Sequence, residues 1–183
     1  QGKLFLFLPG TNGIPEKGPL QLFKTAIKQG YRVINLSYIN TPAVAAICRN
    51  ENLTNDTNCS EKFRIKRIFG TNTTPLISDE PQDAIVPRLT KLLLHLNEID
   101  EKGNWKAYLD NGEINWKKIV VTGQSQGGGM AAYIAKHQLV DKLITFSGGW
   151  DYAAKDKIAD WYFKKSVTPK ERWYGTYHIK EPK

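Results

Sequence analysis

An α/β fold, a predominantly parallel sheet with helices on both faces, is predicted by three observations. Short apolar runs are each followed by a turn and then an amphipathic stretch, which is how a sheet covered by helices reads. Three of those runs, at 3–8, 118–122 and 142–147, are almost continuously apolar, as strands buried on both faces are. The chain has 183 residues, 40% of them hydrophobic, within the size of one domain with a proper core.

Taken in order, strands are expected at 3–8, 32–37, 118–122, 142–147 and 171–177. Helices are expected at 20–29, stopped by Gly30, and at 82–97, where Ile85, Leu89, Leu92, Leu93 and Leu96 fall on one stripe. Further helices are expected at 125–137, carrying Met130, Ala131, Ile134 and Ala135, and at 154–164, carrying Trp161, Tyr162 and Phe163. The stretch 39–81 breaks this rhythm and reads as a long inserted loop over the active-site face of a single domain spanning 1–183, since such connections usually run about 2–6 residues.

Charge and hydropathy exclude several classes. No apolar run is long enough to span a bilayer, and 4–8 lacks the flanks of a signal peptide. The net charge of +8 suits an anionic partner. Its lysines and arginines are scattered, however, so no nucleic-acid partner is expected unless Arg64, Lys66 and Arg67 line up on one face with basic residues from elsewhere. Dispersed histidines and the absence of Cys-x-x-Cys or His-x-x-x-His spacing predict no metal site, and no cofactor is implied.

Cys48 and Cys59 lie close together in a polar stretch, where a disulfide would contribute ~2–3 kcal/mol. Asn52-Leu53-Thr54, Asn55-Asp56-Thr57, Asn58-Cys59-Ser60 and Asn72-Thr73-Thr74 match the glycosylation acceptor pattern. Both features point to an exported protein, periplasmic or extracellular.

The chemistry concentrates at Gly123-Gln124-Ser125-Gln126-Gly127, which fits the G-x-S-x-G nucleophile elbow. It has the strand before it and the helix after it that such an elbow requires. A serine at so sharp a turn needs small neighbours, and Gly128 and Gly129 extend the run. A dinucleotide-binding turn would need G-x-G-x-x-G after the first strand of its unit, and that spacing is absent.

Together with Leu8-Pro9-Gly10-Thr11-Asn12-Gly13 at the end of the first strand, this elbow makes the chain resemble the α/β-hydrolase superfamily. More narrowly it looks like a little-characterised group of bacterial hydrolase-like proteins, on Leu-Pro-Gly-Thr, Gly-Gln-Ser-Gln-Gly and Tyr-His-Ile-Lys-Glu-Pro. The resemblance implies an α/β-hydrolase fold incomplete at both ends, running from the family's third strand to its seventh. It implies Ser125 as nucleophile and an oxyanion hole made by the backbone of Gln126 and by Thr11, with Asn12 as the alternative.

The resemblance further implies that the triad acid follows the last strand, which makes Glu181 the first choice. Asp151 is the alternative acid, although its place ahead of an expected helix also reads as a cap. The catalytic histidine is expected beyond residue 183. His95 reads as solvent-facing and His137 as a helix terminator. His178 precedes the acid and breaks the family order, so it reads as a pocket or structural residue.

The implied activity is that of a serine hydrolase acting on a small-molecule ester or related acyl bond. Acyl transfer to an alcohol would use the same machinery, and a fold-retaining binding module is the alternative from another class. Losing the base from such a site costs on the order of 10⁶ in turnover, so these 183 residues alone are expected to be almost inactive.

Overall fold

The structure, a computed structural model, describes residues 2–181. Strand β1 (Leu4–Leu8) leads through helix α1 (Leu20–Lys28) to β2 (Arg32–Asn35). A long excursion then carries α2 (Val44–Ile47), α3 (Asn50–Asn55), α4 (Cys59–Phe69), α5 (Ile85–Ile99) and a two-strand hairpin, β3 (Leu109–Asp110) with β4 (Glu113–Ile114). The chain returns through β5 (Ile119–Gln124), α6 (Gln126–His137) and β6 (Lys142–Phe146). A second hairpin, β7 (Tyr152–Ala154) with β8 (Lys157–Ile158), precedes β9 (Trp173–Thr176).

Five strands form one sheet in the order β2-β1-β5-β6-β9, and every neighbouring pair is parallel. Side chains of β1 alternate across it. Leu4, Leu6 and Leu8 join Ile119 and Val121 under residues of α4, α5 and α6, while Phe5, Phe7 and Val120 pack with Phe23 and Ala26 of α1. Both faces are therefore covered, as the continuous apolar runs predict. Within α5 the expected stripe is real: Ile85, Leu89 and Leu93 are fully buried, with Leu92 and Leu96 packed against the same core.

Strand order reverses between β1 and β5, since the chain runs outward from β1 to β2 and then crosses back to build the other side. In open α/β sheets ligands bind beyond the carboxyl ends of the strands at such a switch point. The segments after β1 and after β5 are those that carry Thr11 and Ser125.

Two sequence expectations are overturned. The stretch 39–81 is not a loop but carries three helices, with Cys59 the first residue of α4. Helix α4 hides from a hydropathy reading because it buries Arg64, Lys66 and Arg67. Arg67 pairs with Asp79 (2.7 Å), and Lys66 donates to Asn72 Oδ1 and the Thr74 carbonyl, both at 2.9 Å. Buried on separate partners, these residues form no basic stripe for a nucleic acid. The helix expected at 154–164 is likewise absent. Asp156 turns the chain with φ 58°, a conformation aspartate tolerates, and Trp161 is buried from a single turn of 3₁₀ helix.

Cys48 and Cys59 form a disulfide with their Cα atoms 5.6 Å apart. No helix among the described residues is long and apolar enough to cross a membrane.

Candidate functional site

Ser125 sits between β5 and α6 with φ 51° and ψ −122°, a conformation that costs a non-glycine residue free energy and persists only where the surroundings impose it. They do so through close backbone approach. A Cβ on Gly127 would lie 2.0 Å from the Leu8 carbonyl oxygen, and one on Gly123 would lie 2.4 Å from the backbone of Gly127. The Ser125 N–H donates to the Phe146 carbonyl at 2.9 Å, which ties the turn to β6. The serine itself remains exposed at the carboxyl end of the sheet.

The loop after β1 faces this turn. A Cβ on Gly10 would lie 3.3 Å from Ser125 Cβ. Thr11 is half-buried and lines the pocket around Ser125, whereas Asn12 is exposed with φ 59° and accepts a hydrogen bond from Thr41 Oγ1 at 2.8 Å. The structure thus brings Thr11, but not Asn12, into the wall beside the serine. Tyr38 donates to the Pro9 carbonyl and Asn40 to the Gly13 carbonyl, both at 2.7 Å. Burial pushes the Tyr38 hydroxyl pKa up, outweighing the nearby Arg67 and Arg64 charges, so it stays a neutral donor.

Gln126 opens α6, so its backbone N–H is one of the four that have no partner inside their own helix. Its buried side chain closes a clamp: Nε2 donates to the Asn40 carbonyl (2.6 Å), and Oε1 accepts from the Val44 N–H (2.8 Å). That clamp holds 40–44 over the turn at Ser125 and sets Ala43, Val44 and Ala45 as an apolar wall. The pocket they help enclose, about 100 Å³, is completed by Arg64, Gly148, Gly149, Trp150 and Asp151.

Asp151 corrects the reading of a helix cap, because no helix follows it. Its carboxylate is buried against the Arg64 guanidinium, with Nε to Oδ2 at 2.6 Å and Nη2 to Oδ1 at 2.7 Å, and Trp161 Nε1 donates to Oδ2 at 2.9 Å. Burial disfavours the Arg64 charge, but the adjacent carboxylate more than offsets this and holds its pKa above the ordinary value. The Tyr162 hydroxyl accepts from the Asp151 N–H at 3.3 Å, and burial pushes its pKa up to about 12. Asp151 therefore lies in the pocket wall with both oxygens engaged.

None of the three histidines lines this pocket. His95 is exposed, and His178 is exposed with its Nδ1 accepting from the Lys180 N–H at 3.2 Å. His137 lies at the end of α6 against Tyr133 and Phe69. Glu181 is exposed beyond β9, its N–H donating to the His178 carbonyl at 2.9 Å, and it does not line the pocket; Pro182, the next residue of that motif, lies outside the described residues. No group of three or more histidine, cysteine, aspartate or glutamate side chains among the described residues could hold a metal ion.

Arg64 and residues 43–45 belong to the stretch expected over the site, but sequence reasoning singled out none of them as pocket residues. The only signal for Arg64 was a cation set among Phe63, Ile65 and Ile68, which reads equally well as a solvated face. No family model matches the chain, and no curated protein or solved structure matches it either.

Proposed function

We propose that the chain is the core of an α/β-hydrolase-type serine hydrolase, acting on an ester or related acyl bond of a small molecule. The observation that carries this reading is the conformation of Ser125: exposed at the switch point of a parallel sheet, at positive φ, wedged by Gly123 and Gly127. Positive φ by itself does not single it out, since half-buried Ser147 also has φ 51°; the exposure at the switch point and the glycine wedge do. The strand order alone does not discriminate, because other open, doubly wound sheets share it.

In the proposed reaction Ser125 Oγ attacks the carbonyl carbon and its proton passes to a histidine. The tetrahedral oxyanion accepts hydrogen bonds from the Gln126 N–H and from Thr11, and collapse expels the alcohol, protonated by that same histidine, to leave an acyl-enzyme that water hydrolyses. The histidine is expected from chain beyond residue 183, and Glu181 is the carboxylate proposed to orient it, ahead of Asp151. With an alcohol in place of water the same steps make an acyltransferase. The disulfide supports an exported, oxidising location.

A second reading, a binding module built on the same fold, is favoured by the lack of any histidine among the residues lining the pocket. A fluorophosphonate probe applied to the chain extended past residue 183 separates the two. Labelling that disappears in Ser125→Ala supports the hydrolase. A folded, unlabelled wild type supports the binding module.

A further inference from the structure

A second cleft opens beside the first, between α3 and the β7–β8 hairpin, with a volume of about 660 Å³. That is within the range of small-molecule sites, roughly 300–1,000 Å³. Its walls continue those of the Ser125 pocket along the chain. Ala45 of the first pocket stands in α2 four positions before Arg49 of the second, and Asp151 is followed directly by Tyr152.

Charge in the cleft is unbalanced. Arg49 stands on one wall and Lys155 on the hairpin turn opposite, both exposed, against the single carboxylate of Asp156. Asp56 and Asp160 are paired, with Lys62 at 2.7 Å and Lys157 at 3.3 Å, and Glu51, exposed on α3, does not line the cleft. Among the described residues neither Arg49 nor Lys155 makes an ion pair. Asn50 and Thr54 supply neutral hydrogen-bonding groups, and Tyr152 supplies a half-exposed ring. The wall bearing Arg49, Asn50 and Thr54 lies inside the ring closed by the Cys48–Cys59 disulfide, which restrains it.

We infer that this cleft binds an organic anion, the alcohol-side part of the ester, through a carboxylate or phosphate held between Arg49 and Lys155 with its flat body on Tyr152. The acyl group then occupies the smaller pocket at Ser125, and the scissile bond lies where the two meet. Two cations lining one cleft favour an anion over its neutral analogue, and a guanidinium meets a planar carboxylate with two parallel hydrogen bonds. The ester-side assignment rests on the hydrolase reading; anion binding by the cleft does not.

The test titrates 4-hydroxybenzoate, phenyl phosphate and phenol into the protein and follows binding by calorimetry. Both anions should bind at least about tenfold more tightly than phenol. Arg49→Ala and Lys155→Ala should each weaken them about tenfold, and high salt should weaken them too. Arg49→Lys should retain part of the affinity. A preference between the two anions distinguishes a phosphate site from a carboxylate site.

Phenol binding as tightly as the anions, or anion binding unchanged in both alanine variants, overturns the inference. In the extended chain, the ratio of kcat/KM for 4-acetoxybenzoate to that for phenyl acetate should fall about tenfold in Arg49→Ala. If no ester is turned over and Ser125 takes no fluorophosphonate, the hydrolase reading fails while the titration still decides the cleft.

Discussion

Arg64 and Asp151 meet through two parallel hydrogen bonds, 2.6 and 2.7 Å, at the wall of the Ser125 pocket, although 87 residues separate them in the chain. Both side chains are almost fully buried. Removing either partner leaves an uncompensated charge, so Arg64→Ala or Asp151→Ala should each cost about 3–5 kcal/mol in urea unfolding. The joint replacement Arg64→Met with Asp151→Leu should recover most of that loss. Equal losses in the single and joint variants would show that packing, not charge pairing, dominates.

Close approach at the elbow should make Gly127 intolerant of any side chain. Gly127→Ala forces a carbon into the Leu8 carbonyl and should cost about 3 kcal/mol or more, read as a fall in Tm. Gly112→Ala is the control: its φ is 85° but nothing lies within 4 Å, so it should cost only about 1–2 kcal/mol.

Gln126→Ala removes two hydrogen bonds and leaves the buried Val44 N–H without its acceptor, at about 1–3 kcal/mol. Because the clamp holds 40–44 over Ser125, fluorophosphonate labelling of the extended chain should slow as well. A stability loss with unchanged labelling would confine Gln126 to a structural role.

A pH dependence follows from His137. His137 is exposed at the end of α6, and the partial loss of hydration against Tyr133 and Phe69 holds its pKa below the ordinary histidine value, Lys164 and Lys136 pushing the same way and Glu61 opposing them. The unfolded chain therefore takes up the proton first. Stability present above about pH 6.5 should be lost as pH falls from there through the lowered folded value. His137→Gln should flatten that slope in denaturation curves measured from pH 8 to pH 5, a range set by the titration of histidine at about 6.5.

The Cys48–Cys59 ring spans 11 positions, for which chain-entropy reasoning gives about 3 kcal/mol. Reductant, or Cys48→Ser with Cys59→Ser, should lower the Tm accordingly. Anion titration of the reduced protein should also weaken, since the ring carries one wall of the second cleft.

The sheet and the strand–turn–helix around Ser125 were legible because their signals are local. Short apolar runs such as 3–8 and 118–122, bounded by turn residues, suit a strand buried on both faces, and glycines clustered around a serine mark a tight turn between strand and helix. Helix α4 was illegible because Arg64, Lys66 and Arg67 are buried by pairing with Asp151, Asn72, Thr74 and Asp79, and a cation in the sequence reads as solvated until its partner is known. The same long-range pairing turned the expected cap at Asp151 into a pocket wall. The hairpin at 152–158 escaped notice because Lys155-Asp156 is a weak turn signal beside the aromatic run at 161–163.

The pocket around Ser125 draws on five separated stretches, at 11, 43–45, 64, 125–126 and 148–151. Bringing such distant segments together is slow and entropically costly, and the contacts reward the chain only once most of it is in place. Recovery of the site after dilution from denaturant should therefore trail the return of helical signal and coincide with the slowest phase of refolding. Under the proposed hydrolase reading, fluorophosphonate labelling of Ser125 in the extended chain becomes a clock for the last step of folding, and a piece lacking any of the five stretches should not be labelled.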